Sequence, residues 1–170
     1  MAHARTSRTP VLQHAPPALA SAEERQLLEQ ARNLQRAAAA GRVQPLLRGK
    51  NLGLMCADDQ QPGAARFRRA AGELGAHVAH IGLSLGAQSD AQEIAHTARV
   101  LARLYDAVEC QGADAELVQQ LGRASSISFF DGLASKDARP LRIARQLGSE
   151  AELEDNLRYA LQALLLHSIG

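Results

Sequence analysis

The stretch NLGLMC, residues 51–56, decides the fold. It is a short apolar run bounded by polar residues, which is typical of a buried β-strand. Residues 58–63 are turn-like, and residues 64–74 have helical spacing up to Gly75, a residue that commonly ends a helix. The segment HVAHI at residues 77–81, which follows Gly75, predicts a second strand. Strand, helix and strand in this order indicate a right-handed β-α-β unit with two parallel strands.

The same alternation continues in both directions along the chain. Ser21 is a suitable N-cap for a first helix that ends at Gly41. The further predicted elements are helices over 91–105 and 115–124, strands over 106–110 and 126–130, a loop over 131–140, and a long closing helix over 150–169. We therefore predict an α/β fold: a Rossmann-like, four-stranded parallel sheet with helices on both faces and packed N- and C-terminal helices. The apolar face of the closing helix needs a partner, which is the sheet layer, the first helix or another subunit.

The length of 170 residues predicts one domain, over residues 21–170, behind a tail at residues 1–20. Residues 1–22 contain no acid and no apolar segment of the kind that a secretory signal needs. We interpret this stretch as a flexible tail, with a transit peptide as the alternative. Without an export signal, the expected location is the cytoplasm.

Composition excludes several classes of function. Lys and Arg total 19 against 18 for Asp and Glu, and aromatic residues make up 3% with no Trp. A nucleic-acid partner is therefore not expected. No apolar run approaches the roughly 20 residues of a membrane span. We expect neither a metal nor a cofactor, because the two cysteines, Cys56 and Cys110, are most simply buried apolar residues. The alternative is that they meet on neighbouring strands and form a redox pair, or a metal site with His77 or His80.

Parallel sheets bind ligands at the carboxyl ends of their strands, so the turn after residue 56 is the expected site. Free N–H groups and the helix dipole favour an anion there. An enzyme that handles a phosphate would normally add hydroxyl groups and arginines to this turn. The residues present, QQPGA at 60–64, offer two amides, no charge and a proline that lacks a backbone donor.

Several motifs together resemble the aspartate/ornithine carbamoyltransferase family, and its ornithine branch in particular. They are LRGKNLGL at 47–54, TARVLARLYD at 97–106, QG at 111–112 and DGL at 131–133. The likeness runs from about Leu19 to Pro140 and covers the family's carbamoyl-phosphate domain. DNLRYALQALL at 155–165 is similar to the helix that closes full-length members. The resemblance implies that the amino-acid-binding domain between these two parts is missing.

The departures from the family lie at its phosphate and catalytic positions. The family's Ser-Thr-Arg-Thr-Arg motif aligns with neutral residues that have no hydroxyl group, namely Gln60, Gln61, Pro62, Gly63 and Ala64. The family's arginine after the third strand falls on Gln111. Its His-Pro-x-Gln motif falls on residues 139–142, so Arg139 stands where the histidine would polarise the carbamoyl carbonyl.

These losses predict a chain that does not catalyse carbamoyl transfer on its own. One lost oxyanion-type donor costs on the order of 10²–10³ in rate, and several are absent together. We expect no catalytic residue and a role as an interaction or regulatory subunit. Family members form trimers through this domain, so the resemblance implies either a homotrimer or a hetero-oligomer with an intact carbamoyltransferase.

Two alternatives stay open at this point. In the first alternative, the chain is a small anion- or metabolite-binding module. The anion would be held by arginines, since side chains on a helix lean toward its N-terminus. These are Arg66, Arg68, Arg139 and Arg142. Otherwise, residual carbamoyl transfer occurs in a complex in which an intact family member supplies the missing groups.

Overall fold

The computed structural model of the protein describes residues 21–82, 84–86, 88–149 and 152–170. The predicted tail over 1–20 and the predicted helix start at Glu150 lie outside the described residues. The elements in chain order are α1 (Ala22–Ala39), β1 (Asn51–Met55), α2 (Pro62–Glu73), β2 (His77–Ile81), α3 (Ala91–Leu104), β3 (Ala107–Cys110), α4 (Ala115–Arg123), β4 (Ser128–Asp131), α5 (Ala138–Leu147) and α6 (Leu153–Ile169).

The four strands form one parallel sheet in the order β2-β1-β3-β4. The predicted α/β fold with a four-stranded parallel sheet is confirmed. Each strand is short and is followed by a helix that returns the chain to the same edge, as parallel pairing requires. Central β1 is buried along residues 52–55, which explains its continuous apolar sequence.

Alternate residues of β1 point to opposite faces of the sheet. Leu52 and Leu54 join a core that includes Phe67 of α2. Met55 joins a second core with Leu101 of α3 on the other face. Helices therefore cover both faces, with α3 and α4 on one and the remaining helices on the other.

The first and last helices pack together, as predicted. Of the partners considered for the closing helix, α6 contacts α1 and, in addition, α2 and α5. The two helices run antiparallel, because Gln35 Nε2 donates to Asn156 Oδ1 at 3.0 Å while His167 at the other end of α6 lies 3.7 Å from Glu23. Within the described part of the chain, no helix combines the length and apolar character needed to cross a bilayer.

The prediction that the chain runs from Pro140 into the closing helix without another element was wrong. Helix α5 spans Ala138–Leu147, and Asp137 caps it by accepting a hydrogen bond of 2.8 Å from the N–H of Arg139. Pro140 lies in the first turn, where the N–H groups have no intrahelical partner, so its missing donor costs little. Ile143 and Ala144 then bury one face of the helix.

Candidate functional site

The carboxyl ends of β1 and β3 are the edge where a ligand crevice is expected, because the strand order reverses there. The chain leaves β1 through α2 on one face and returns to β3 through α3 on the other. These two connections diverge, which makes this edge the place where open α/β sheets bind ligands. The loop after β1 and the first turn of α2 form one side of the crevice. The segments after β3 and β4 form the other side.

The residues that begin α2 are uncharged, whereas the loop before the helix carries two aspartates, Asp58 and Asp59. Gln61 is the N-cap residue but makes no capping hydrogen bond through its side chain. The amide of Gln60 donates to Asp59 at 2.8 Å, and that of Gln61 donates to Asp58 at 2.9 Å. Two hydrogen bonds lower the pKa of the Asp58 carboxyl. The larger effect comes from the backbone N–H of Gln60 and the smaller one from the side chain of Gln61. Two carboxylates therefore lie where a phosphate site needs positive charge, a feature that the sequence analysis overlooked.

Gln111, which is predicted to stand at the position of a family arginine, lies near the start of α2. Its side chain is buried, and a Cβ built on Gly63 would come within 3.1 Å of the Oε1 of Gln111. The same Cβ would come within 2.8 Å of the Cβ of Ser135. The structure thus brings Gly63 and Gln111 close to Ser135, a residue of the turn after β4.

The four arginines predicted as anion ligands each pair with a carboxylate. Arg66 donates two hydrogen bonds to Glu154 of α6, at 3.0 and 2.6 Å, and these bonds raise its pKa. Arg68 donates to Asp59 at 2.6 Å. These two neighbours therefore point to different parts of the molecule.

The other two arginines lie on α5, beside the start of α1. Arg139 lies 2.6 Å from Asp137, the residue that caps its own helix, and Arg142 lies 3.3 Å from Glu24 of α1. Both line a small pocket of about 200 Å³ with the first residues of α1. Arg139 therefore faces the helix layer, although its alignment places it at the family's catalytic histidine. The structure describes no single cleft that holds all four arginines.

Glu109 is the residue that the sequence analysis missed. It lies on β3 and is completely buried. Its carboxylate accepts hydrogen bonds from Gln111 Nε2 at 3.0 Å, Leu133 N at 3.0 Å and Ala134 N at 3.1 Å. Burial raises the pKa of Glu109 to about 7, although the three hydrogen bonds oppose the shift. The available signal was an acid inside the otherwise apolar strand AVEC, residues 107–110.

The cysteines lie on neighbouring strands but on opposite faces. Met55 pairs with Cys110 in the sheet register, so Cys110 shares the face of Met55 while Cys56 points to the other face. The alternative in which the thiols meet was wrong for this reason. Both are free and buried, and burial is the main cause that raises the pKa of each, that of Cys110 to about 12. His80 bonds the backbone oxygen of Cys56 at 3.0 Å. Within residues 21–82, 84–86, 88–149 and 152–170, no three His, Cys, Asp or Glu side chains are grouped as metal ligands.

Fold and crevice together define a doubly wound α/β domain whose ligand edge lies between β1 and β3. The family model described as "Aspartate/ornithine carbamoyltransferase, carbamoyl-P binding domain" matches residues 16–147. The chain belongs to this family.

The relatives are full-length ornithine carbamoyltransferases. The catabolic enzyme of Mycoplasma capricolum subsp. capripneumoniae is 32% identical over 136 residues, which are 80% of this chain and 43% of that protein. The catabolic enzyme of Burkholderia mallei is 32% identical over 142 residues, 81% of this chain and 42% of that protein. The chain therefore spans less than half the length of these curated relatives.

The solved structures agree with this assignment. The ornithine carbamoyltransferase from Pyrococcus furiosus superposes with a TM-score of 0.62 and 27% sequence identity. The superposition covers 74% of this chain and 40% of that chain.

Proposed function

We propose that this chain is a non-catalytic member of the carbamoyltransferase family that acts as an interaction or regulatory subunit and assembles with an intact carbamoyltransferase. The observation that carries this proposal is the contact between Gln111 and Gly63 at the start of α2. A neutral amide fills the position where a cation would hold a doubly charged phosphate.

The electrostatics of the crevice support the same proposal. Asp58 and Asp59 precede the first turn of α2, and Arg68 of that helix is paired to Asp59 at 2.6 Å. An incoming phosphate would meet two carboxylates before any free guanidinium group. Each charge-assisted hydrogen bond that a phosphate lacks here costs roughly 1.5–3 kcal/mol of binding free energy.

An exposed apolar pair on α3 supports the role in assembly. Val100 and Leu104 are four residues apart, so they lie on one face of the helix, and they are 41% and 59% exposed. Large apolar side chains that lie side by side on a surface are typical of protein interfaces. The surface next to β2 therefore offers a docking site for another family member, or for a second and third copy of this chain as in a homotrimer.

The cytoplasm remains the expected location.

Assembly is tested by mixing the purified chain with an intact ornithine carbamoyltransferase and measuring mass by light scattering. We expect a mixed oligomer at micromolar concentration. Leu104→Glu should weaken it at least tenfold, because the interface would bury a charge. The matched control, Gln92→Glu, adds the same charge at an exposed position at the opposite end of α3 from Leu104 and should leave assembly unchanged. A chain that stays monomeric, or forms only a stable homo-oligomer without the partner, contradicts the mixed assembly.

Catalysis is tested separately by incubating the chain with ornithine and carbamoyl phosphate and measuring citrulline. We expect no product above the buffer control. Turnover by the purified chain alone would overturn the non-catalytic role, whereas a citrulline rate of the mixed oligomer above that of the intact enzyme alone would support the alternative of residual activity in a complex.

The anion-binding alternative depends on Arg66, Arg68, Arg139 and Arg142. Each of these guanidinium groups is held by a carboxylate, so an anion would have to compete with an ion pair that already exists. Calorimetry with phosphate and carbamoyl phosphate tests this alternative. Heat at millimolar ligand that disappears in Arg68→Ala would favour it.

A further inference from the structure

Three hydrogen-bond donors converge on the side chain of Glu109 inside the protein. Two are the consecutive backbone N–H groups of Leu133 and Ala134, and the third is the side-chain amide of Gln111. Gln111 follows Glu109 by two residues, so both side chains lie on the same face of the sheet. Convergent backbone N–H groups of this kind form anion-binding concavities in proteins.

We propose that these three donors form a carboxyl-binding pocket that the chain fills with its own Glu109, which pins the turn at residues 132–134 to β3 and leaves no space for an external carboxyl ligand. The inference concerns the described residues alone and does not depend on the proposed role as a subunit. Its ligand class is a small carboxylate, normally supplied from within.

The turn that Glu109 holds is built to present its N–H groups. Gly132 has φ of 69°, its N–H donates to the carbonyl of Cys110 at 2.8 Å, and its own carbonyl accepts from Ser135, Lys136 and Asp137. A side chain at Gly132 would be strained at this φ, and its Cβ would come within 2.6 Å of the Cγ of Lys136. The turn is therefore fixed on its outer side by backbone hydrogen bonds and on its inner side by the carboxylate.

No neighbouring charged group among the described residues takes the place of Glu109 as acceptor for these three donors. Among the described residues, the titratable groups around it are Asp131 of β4, Cys56 of β1 and Cys110 of β3, and Asp131 is paired with Lys136 at 2.6 Å. No ion pair in the described part of the chain includes Glu109. The three donors consequently have no other anion, and each would be buried without a partner if the carboxylate were removed.

The experiment removes the internal carboxylate and supplies an external one. In Glu109→Ala, formate at about 0.1 M should shift the unfolding equilibrium toward the folded state roughly tenfold, and chloride at equal ionic strength should not. In Glu109→Leu the cavity is filled by an apolar side chain, so formate and chloride should act alike. The wild type should also show no specific effect of formate, because its pocket is occupied. Equal responses of Glu109→Ala to formate and chloride would overturn the proposal.

A measurement on the wild-type chain keeps the test decisive if Glu109→Ala does not fold. The Glu109 carboxyl carbon and the amide protons of Leu133 and Ala134 are followed by nuclear magnetic resonance as pH is varied. All three signals should titrate with one common midpoint, because the two amides donate to the titrating group. The amide of Leu121, buried in α4, serves as the control and should not follow it. Amide signals of Leu133 and Ala134 that are insensitive to the carboxyl titration would contradict the pocket.

Discussion

Lys50 Nζ lies 3.5 Å from one carboxylate oxygen of Asp106, and the other oxygen accepts a hydrogen bond of 2.8 Å from the backbone N–H of Asn51. These residues tie the start of β1 to the turn that precedes β3. They belong to two of the stretches that resemble the carbamoyltransferase family, LRGKNLGL and TARVLARLYD. The positions predicted to depart from the family, 60–64 and Gln111, lie at the opposite, carboxyl edge of the sheet.

The Asp106 contacts predict unequal effects of two substitutions. Asp106→Ala should lower the free energy of unfolding by roughly 1–3 kcal/mol, because it removes the acceptor for a backbone N–H group. Lys50→Ala should cost less than about 1 kcal/mol, since the ion pair is long and half exposed. Urea unfolding of both variants checks the difference. Equal losses, or a larger loss for Lys50→Ala, would show that the ion pair dominates.

Gly53 is required by the close packing of the sheet. A Cβ at this position would come within 2.6 Å of Ile81 Cδ1 and 3.2 Å of Val108 Cγ2. Gly53→Ala should therefore destabilise the fold by roughly 1–3 kcal/mol, because neighbouring strands must shift. Gly72→Ala is the matched control. Nothing lies within 4 Å of its Cβ position in α2, so it should stabilise the helix by about 0.5–1 kcal/mol. Thermal unfolding of the pair measures both effects, and a neutral Gly53→Ala would refute the packing argument.

Much of this fold follows from local pattern, and the exceptions have physical reasons. The strand over residues 77–81 was predicted at its observed bounds, because the segment is bounded by turns. Helix α5 was missed because Pro140 was read as part of a loop, whereas the first turn of a helix accepts proline. The separation of Cys56 and Cys110 depends on sheet register, which sequence spacing alone does not give. Glu109 was missed because its donors, Leu133 and Ala134, come from a segment more than twenty residues away.

Glu109 predicts a dependence of stability on pH. Burial raises its pKa from 4.5 to about 7 in the folded protein, so the folded chain retains a proton that the unfolded chain has lost. Its contribution to stability is complete below about pH 4.5 and is lost as pH rises through about 7, a change on the order of 3 kcal/mol. Glu109→Gln cannot titrate at this position and serves as the reference. The stability of the wild type relative to this variant should fall between about pH 5 and pH 8.

Other carboxylates do not produce a similar change in the free energy of unfolding over the same pH range. The pKa of Asp58 is lowered, so its contribution is present above its ordinary range and is lost only in more acidic solution. Urea unfolding of the wild type and Glu109→Gln at a series of pH values therefore isolates Glu109. A difference between them that stays constant from about pH 5 to pH 8 would contradict the raised pKa.

The two cysteines predict an unreactive protein that forms no internal disulfide. Cys56 and Cys110 are 2% and 0% exposed, and burial raises the pKa of both thiols, so little thiolate is available to attack a reagent. A thiol-reactive disulfide reagent should label neither residue in the folded protein and both after unfolding. Gln92→Cys, which places a thiol on the exposed side of α3, should react at once and provides the control. Because the native thiols lie on opposite faces of the sheet, mild oxidation should leave both free. Rapid labelling of folded wild-type protein, or a Cys56–Cys110 disulfide found by mass spectrometry, would contradict the observed register of β1 and β3.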